Sequence, residues 1–191
     1  PSGAGPGVGN PINTLTTAKI ETVKDLSVGG RLPVDFVRTY KSEGFHSPVD
    51  TQPVSDGFGD YWRHNFQRAI RLGVGGLANT AYAYRSNGGA IDFRLTGGLW
   101  STSGDNLYRL TELKDGAGVR TGWELQDGAD RKETYNAQGQ LLAIVDRAGA
   151  RIDLIYSDAA TPAAIAPRAG LLIGIVAESG RSIGLTYRDD E

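Results

Sequence analysis

The sequence predicts an all-β fold of antiparallel hairpins, and its glycine content and apolar spacing are the observations that predict it. The chain has 27 Gly among 191 residues, roughly twice the usual share of about 7%. These glycines stand singly or in pairs between short apolar runs, which is typical of many tight turns. No segment sustains the apolar period of an amphipathic helix. We therefore expect short strands stacked side by side, with each hairpin stabilised by its neighbours.

Composition and charge exclude several classes of site and partner. The net charge is −2 and the chain has no block of Lys or Arg, so we expect no nucleic-acid partner and no membrane contact by this segment. The longest apolar stretch, around Leu171–Ala177, is too short to span a bilayer. The absence of Cys rules out disulfides and thiolate metal sites, and no cofactor motif is present. Because the chain also lacks Met, we expect it to be a piece of a larger protein.

The chain opens on a Gly- and Pro-rich segment and then changes to strand-forming sequence. Residues 1–13 are predicted to be a flexible arm, since "PSGAGPGVGNP" offers nothing that can pack. In "TLTTAKIETVKDL" the residues Ile20, Val23 and Leu26 recur at every third position, which fits a bulged strand or a short helical turn. The β-rich composition favours the strand.

Two alternating segments follow, and each is predicted to be one strand. Pro33 marks the start of the first, "RLPVDFVRTY". The apolar face of this strand carries Leu32, Val34, Phe36 and Tyr40. Residues 41–60 are polar and are predicted to form a long loop. The second segment is "YWRHNFQRAIRL", whose predicted core face carries Trp62, Phe66, Ile70 and Leu72.

Asn-Gly and Asp-Gly pairs mark three hairpins. The pairs are Asn87-Gly88, Asp115-Gly116 and Asp127-Gly128, and each stands between strand-like segments. Because these residue types tolerate the positive φ angles of a two-residue hairpin turn, we expect the chain to reverse at each pair. Residues 158–170 are predicted to be a loop insertion, since two prolines interrupt "TPAAIAPRAG".

A repeat occupies the C-terminal part of the chain. From Tyr135 to Tyr156 is 21 residues, and from Tyr156 to Tyr187 is 31, of which about ten belong to the insertion. A period of about 20 residues with two short strands is typical of a quasi-linear array, in which each unit buries its aliphatic face against the next. We expect the tyrosines to brace neighbouring units. The residues predicted to carry the structure are Trp62, Phe66, Tyr135, Gly139, Gly149, Tyr156, Gly180 and Tyr187.

The order of these segments resembles the Rhs (rearrangement hot spot) and YD-repeat family. The matching pieces of the opening part are "GNPIN", "LPVDFVRTYKS" and "GDYWRHNF". The segment "YNAQGQLL" is similar to the family's repeat, which runs roughly Tyr-Asp-x-x-Gly-Arg-Leu. It departs from that pattern at Asn136, which stands for the Asp, and at Gln140, which stands for the Arg. The resemblance covers most of Gly9–Asp190.

The resemblance implies a structural scaffold. Proteins of this family wind their repeats into a hollow β-shell that encloses a C-terminal toxin and is often exported by a bacterial type VI secretion machine. The implied fold is a spiral of stacked hairpins, with residues 14–113 as the preface of the repeat core and residues 114–191 as repeats. The implied partners are the rest of the shell, the toxin and components of the secretion spike. The implied location is the bacterial cytoplasm before export.

Signals for catalysis or ligand binding are weaker than this pattern. The family's self-cleaving and toxin segments have no counterpart here, so we expect no enzymatic activity. His46 and His64 are the only histidines. His64 shares its predicted face with Trp62 and Phe66, which favours a packed residue over a catalytic base, and no metal-ligand spacing is visible.

Carboxylates and aromatic residues leave two alternatives open. The acidic residues that could form a glycosidase pair are Asp92, Glu112, Asp127, Asp130, Glu133, Asp146 and Asp153. Their alternation with Lys and Arg favours solvated faces. The aromatic residues that either pack in a core or form a sugar-stacking platform are Trp62, Tyr82, Tyr84, Trp100 and Trp123. A free-standing carbohydrate-binding β-domain is therefore the alternative to the scaffold.

Overall fold

The computed structural model describes residues 19–45, 58–73, 77–103 and 107–188. All regular secondary structure in these ranges is antiparallel β-strand, which confirms the predicted all-β fold. The predicted arm, residues 1–13, lies outside them. The strands are β1 (Ile20–Val28), β2 (Val34–Lys41), β3 (Trp62–His64), β4 (Ala69–Leu72), β5 (Thr80–Tyr84), β6 (Ala90–Thr96), β7 (Leu99–Thr102), β8 (Arg109–Lys114), β9 (Arg120–Gln126), β10 (Lys132–Asn136), β11 (Leu141–Val145), β12 (Arg151–Tyr156), β13 (Leu172–Ala177) and β14 (Ser182–Gly184).

The strands form two open sheets. A three-stranded sheet has the order β1-β2-β3, and an eleven-stranded sheet runs from β14 to β4 with every strand beside its chain neighbours. Such a meander needs no crossover connection, since each strand pairs with the one it follows. The predicted division between the preface and the repeats, at residues 113 and 114, falls inside β8. It stays a prediction.

The first strand explains the spacing of its apolar residues. The pairing of β1 with β2 shifts register between Lys24 and Leu26, so the every-third-residue pattern comes from a bulged strand and not from a helical turn. In β2 the expected alternation is present, with Val34 and Phe36 buried. The described parts of the predicted 41–60 loop contain no strand after Lys41, and residues 46–57 lie outside the described ranges.

The prediction of one strand over residues 61–72 is wrong. The segment divides into β3 and β4, which belong to different sheets. Between them, the backbone N–H of Gln67 donates to the carbonyl of His64 at 2.9 Å, and the Gln67 side-chain oxygen accepts from the His64 N–H at 3.0 Å. This reciprocal pair satisfies the backbone where the chain leaves the sheet. Apolar alternation continues through the turn, so it could not reveal the break.

All three predicted hairpins exist, but their turns hold three residues instead of two. At Asp115 the Gly118 N–H donates to the Asp115 carbonyl, and the Asp115 N–H donates to the carbonyl of Val119. The left-handed residue is Gly118, with φ 81°, and not Gly116. The Asp115 carboxylate accepts from the N–H groups of Ala117 and Val119. The aspartate thus shapes the turn through its side chain.

The same three-residue turn recurs along the eleven-stranded sheet. It combines a tight turn with one left-handed residue, a common hairpin connection that suits the twist of the strands. The turns begin at Arg85, Asp115, Asp127, Asn136, Asp146 and Ala177. Their left-handed residues, in the same order, are Gly88, Gly118, Asp130, Gly139, Gly149 and Gly180.

The predicted insertion is built on this same turn. Gly170, with φ 88°, donates to the Ser157 carbonyl, and Ser157 donates to the Leu171 carbonyl. Gly139, Asn136 and Gln140 make the matching bonds in the β10–β11 turn. Residues 158–169 therefore replace only the two turn residues 137 and 138, which accounts for ten extra residues. Residues 158–170 contain no strand.

The eleven-stranded sheet curls around its own apolar face. The Ile70 N–H in β4 donates to the Gly139 carbonyl in the β10–β11 turn at 2.8 Å, although five strands separate β4 from β10 in the sheet. The buried core inside the curl includes Ile70, Phe93, Leu110, Trp123, Leu125, Leu141, Ile152, Leu154, Leu172 and Ile175. Phe36 of the three-stranded sheet joins the same core, so both sheets share one interior.

Candidate functional site at the junction of the two sheets

An aromatic cluster joins the three-stranded sheet to the curled sheet. The His64 ring of β3 stacks on Phe36 of β2, with ring centres 5.3 Å apart. Phe58 meets the same imidazole edge-on at 5.1 Å. Tyr187, which follows β14, meets Phe58 edge-on at 6.3 Å. Rings from the first and last described segments of the chain therefore meet around His64.

His64 is a packed core histidine with one polar atom left over. Its side chain is buried, with 1% of the residue exposed. Its Nδ1 accepts from the backbone N–H of Phe66 at 3.3 Å, so the ring proton belongs on Nε2. Nε2 has no hydrogen-bond partner among the described residues. Burial lowers the pKa of His64 to about 4, because an apolar interior disfavours the imidazolium.

A buried carboxylate lies beside the junction, inside the curled sheet. Glu133 lies on β10 with only 6% of its side chain exposed. It accepts two hydrogen bonds from the Arg85 guanidinium, at 2.7 and 2.6 Å. Arg68 and the Tyr135 hydroxyl also donate to it. The carboxylate therefore connects β10 to the segments that flank β4 and β5, across the inside of the curl.

The arginines of this cluster affect the pKa of Glu133 more strongly than burial does. Burial alone would raise the pKa of Glu133, but the hydrogen bond from Arg85 and the charges of Arg68 and Arg85 lower it to about 2. Burial and the Glu133 charge raise the pKa of Tyr135 well above its usual value. Glu133 is thus ionised and Tyr135 neutral at neutral pH. A buried ion pair of this kind is costly to break, since removing one partner leaves an uncompensated charge.

Glu133 is one of the carboxylates named above as glycosidase candidates, and its role in a buried ion cluster was not predicted. Period-two alternation puts Glu133 on the same face as Tyr135, which is a buried core residue. An acidic residue on the inner face of a strand is a signal for a buried pair, because charges are rarely buried alone. Its partners Arg68 and Arg85 could not be identified, since they lie 65 and 48 residues away.

Other candidate carboxylates form turns or surface pairs. Asp127 and Asp146 accept backbone N–H groups in their own turns. Asp153 pairs with Arg151 at 2.7 Å, and Glu112 lies near Lys114. Across the described ranges no three His, Asp or Glu side chains come close enough together to hold a metal ion. None of the described segments forms a helix that could cross a membrane.

One cleft lies at the junction, and another lies on the eleven-stranded sheet. One, of about 170 Å³, is lined by His64, Phe66, Arg68, Ala69, Arg71, Gln138, Gly139, Gln140, Tyr156 and Leu172. The other is a shallow depression of about 480 Å³ beside β7, β8 and the β9–β10 turn. Trp100 and Tyr108 line it, together with Gln126 and Asp130. Trp123 is buried beneath Trp100, with ring centres 5.6 Å apart, so the tryptophans form no continuous exposed platform.

The structure brings together some of the residues predicted to carry it. Phe66, Gly139 and Tyr156 all line the junction cleft. Tyr135 is buried, and its hydroxyl donates to Glu133. The Tyr187 hydroxyl donates to the Leu172 carbonyl at 2.9 Å. The remaining three lie apart: Trp62 packs on Tyr40 and Arg38, and Gly149 and Gly180 lie in the turns at the other rim of the sheet.

Comparison with known sequences gives one family match. A family model described as a domain of unknown function, DUF6531, matches residues 9–93. Comparison with curated proteins finds no match. The matched stretch includes β1 to β5 and ends inside β6. It contains Phe36, Phe58 and His64 of the aromatic cluster, and both arginines that hold Glu133. Glu133 and the repeated tyrosines lie beyond it. The first part of the chain thus resembles a sequence domain whose function is not known.

Proposed function

We propose that this chain is a non-catalytic structural scaffold, the opening part of an Rhs-type β-shell that encloses and helps deliver a C-terminal toxin between competing bacteria. The proposal combines the resemblance of the sequence to Rhs and YD-repeat proteins with the architecture of the sheet. Its partners would be the remaining shell segment, the enclosed toxin and components of a type VI-like secretion machine, with residence in the bacterial cytoplasm before export.

The observation that carries the proposal is the equivalence of successive hairpins. Tyr135 pairs with Leu141 and Tyr156 pairs with Leu172, and in both strands the register shifts between the tyrosine and the residue before it. Each tyrosine lies immediately before a turn of the same hydrogen-bond pattern. Such units bury their apolar face against the next unit, so the array can extend by adding hairpins. A sheet that grows and curls in this way is suited to form a wall.

The two ends of the array differ in a way that fits an opening segment. At the start, β4 donates through Ile70 to the β10–β11 turn, and Ile70 shares one buried core with Val34 and Phe36 of the three-stranded sheet. At the other end, β14 is a short strand of three residues that pairs with β13 and with no further described strand. An uncovered sheet edge favours pairing with another strand. We infer that the next hairpin of the shell pairs with β14.

The test is to purify the full gene product from its own host and determine its intact mass and terminal sequences. The scaffold proposal expects a chain that continues through many more tyrosine-containing hairpins into an unrelated C-terminal domain. A native chain that ends near Glu191 would contradict it, because too few hairpins would remain to enclose another domain.

A glycan-binding assay separates the proposal from its alternative. The chain of 191 residues would be applied to a glycan array beside a Tyr108→Ala variant, since Tyr108 lines the shallow cleft with Trp100. The scaffold proposal expects no specific glycan binding by either protein. Binding that is lost in the variant would favour the carbohydrate-binding domain instead.

A further inference from the structure

His64 lies where the two sheets meet. On one side its ring stacks on Phe36 and its strand pairs with β2. On the other side it lines the junction cleft with the start of β4, the β10–β11 turn, Tyr156 of β12 and Leu172 of β13. The imidazole is therefore part of both the three-stranded sheet and the interior of the eleven-stranded sheet. A change in its charge acts on the contact between them.

Among the described residues around His64, no anionic group is placed to stabilise a protonated ring. Arg68, just before β4, and Arg71 of β4 line the same cleft, and no carboxylate is among the described residues that do so. On β3 itself, Arg63 stacks on Phe45 and donates to its carbonyl. The other lining groups are the neutral amides of Gln138 and Gln140 and the phenol of Tyr156.

The neighbouring carboxylates are already held by arginine. Arg38 lies opposite His64 in the β2–β3 register, and it donates to Asp25 of β1 at 2.6 Å. Glu133 of β10 is held by Arg68 and Arg85. Phe36, Phe58 and Leu172 are apolar. From every element packed against it, His64 thus faces apolar groups, neutral polar groups or arginines, and the carboxylates nearest to it are paired with Arg38, Arg68 and Arg85.

We propose that the junction is an acid-sensitive joint, in which protonation of His64 loosens the three-stranded sheet from the curled eleven-stranded sheet while the curl itself remains. A cation at this position would be unsolvated, unpaired and close to arginines. Exposure of the charged ring to water reduces this unfavourable free energy. The simplest way to expose the ring is to separate β3 from the shared core. The Glu133 cluster holds β10 to the flanks of β4 and β5 independently of His64, so the curl survives.

The direction and the pH range follow from the two clusters. The pKa of His64 is about 4 in the closed state and about 6.5 when exposed to water. The open state therefore binds more protons between these values, and opening becomes about tenfold more favourable for each unit of pH lost. The pKa of Glu133 is about 2, below its usual value of about 4.3. Its contribution to stability is lost only below that usual value, so the joint loosens first.

Hydrogen exchange measured by mass spectrometry tests the proposal on the whole chain. Exchange would be followed from about pH 7 to about pH 4.5 and corrected for the intrinsic pH dependence of amide exchange. We expect opening of the β1–β3 peptides to rise by roughly a hundredfold over this range, with β9–β12 unchanged. In His64→Phe, whose ring can still stack on Phe36 and Phe58, the rise should disappear.

The other histidine provides the matched control. His46→Phe removes the second histidine of the chain and should leave the rise in place. Persistence of the rise in His64→Phe, its loss in His46→Phe, or simultaneous opening of all strands would overturn the proposal. If His64→Phe fails to fold, proton NMR of the wild-type imidazole decides the matter, because a pKa near 6.5 for His64 in the folded protein would overturn it as well.

Discussion

Gly139 and Gly149 share a backbone conformation but differ in their surroundings. Their φ angles are 80° and 85°, a left-handed conformation that costs an L-residue about 1 to 2 kcal/mol. A Cβ on Gly149 would meet nothing within 4 Å, whereas one on Gly139 would lie 1.8 Å from the Ile70 carbonyl oxygen. Gly149 is thus required by its turn alone, and Gly139 also by the closure of the curl.

Replacement by Ala should therefore reduce the free energy of unfolding by different amounts at Gly139 and Gly149. Gly149→Ala should destabilise the protein by about 1 kcal/mol through backbone strain. Gly139→Ala should cost about 4 kcal/mol, since overpacking adds about 3 kcal/mol and displaces β4. Urea unfolding of both variants measures the difference. Equal costs would show that the contact between β4 and the β10–β11 turn does not contribute to stability.

Glu133 gives a second prediction for a single side chain. Glu133→Gln leaves Arg68 and Arg85 without a counter-charge in the interior, and we expect a loss of about 3 kcal/mol. Because the pKa of Glu133 is lowered to about 2, its stabilising effect is complete above about pH 4.3 and is lost as the pH falls towards 2. The difference between wild type and variant should therefore shrink in acid, as chemical unfolding at several pH values would show.

An exposed ion pair supplies the control for Glu133. Asp153 and Arg151 are paired at 2.7 Å with about half of each side chain exposed, so Asp153→Asn should change stability by less than about 0.5 kcal/mol. If both variants lose the same amount, burial of Glu133 adds nothing to its pairing.

The hairpin turn is the element that the chain uses repeatedly, and its pattern tolerates an insertion. Ser157, Gly170 and Leu171 reproduce the bonds of the β10–β11 turn with twelve residues between Ser157 and Gly170 in place of two. The Ser157 hydroxyl even accepts from the Leu171 N–H at 2.9 Å, as the Asn136 side chain does from Gln140. The insertion is therefore separable from the hairpin that carries it.

Replacing residues 158–169 by Ala-Gln should leave the hairpin folded. The shorter loop gains about 1.5 kcal/mol in closure entropy, which offsets the loss of buried Ala166 and of the bond from Tyr187 to the Ile165 carbonyl. We expect a stability within about 1 kcal/mol of wild type by thermal and urea unfolding. The same exchange combined with Gly170→Ala should cost about 1 kcal/mol more. A chain that no longer folds after the simple exchange would refute the equivalence of the two turns.

At the scale of the whole molecule, the three-stranded sheet is attached at both rims of the curled sheet. Its aromatic cluster joins one rim through His64. At the other rim, Arg181 donates to the Gly29 carbonyl at 2.7 Å, and Arg31 donates to the Ala148 carbonyl. Residues 29 to 31 belong to the connection between β1 and β2, whereas Ala148 and Arg181 belong to the β11–β12 and β13–β14 turns. The repeat turns thus also serve as docking points.

Arg181→Ala should loosen this second attachment. We expect a loss of about 1 kcal/mol and faster hydrogen exchange in the β1–β2 connection, with the β9–β12 peptides unchanged. Arg147→Ala is the control, because 82% of the Arg147 side chain is exposed and its nearest carboxylate lies at 4.0 Å. Equal exchange in the two variants would argue against a docking role for Arg181.

The sequence by itself determined the local features of the protein. An Asp that bonds to its own turn and a residue that takes a positive φ act within five residues, so the predicted hairpins at Asp115 and Asp127 follow from short-range chemistry. Alternation likewise identified the buried face of β2, because side chains of a strand point to opposite faces.

The tertiary structure decided what depends on distant residues. The break after His64, the burial of Glu133 and the contact of Ile70 with Gly139 all rest on partners that no local period identifies. Glu133 and Arg68 are 65 residues apart, and a carboxylate on a strand looks the same in sequence whether it faces water or the interior. Only the curl of the sheet brings these groups together. Burial removes the water that would solvate the Glu133 carboxylate, so the carboxylate stays charged only because the arginines pair with it.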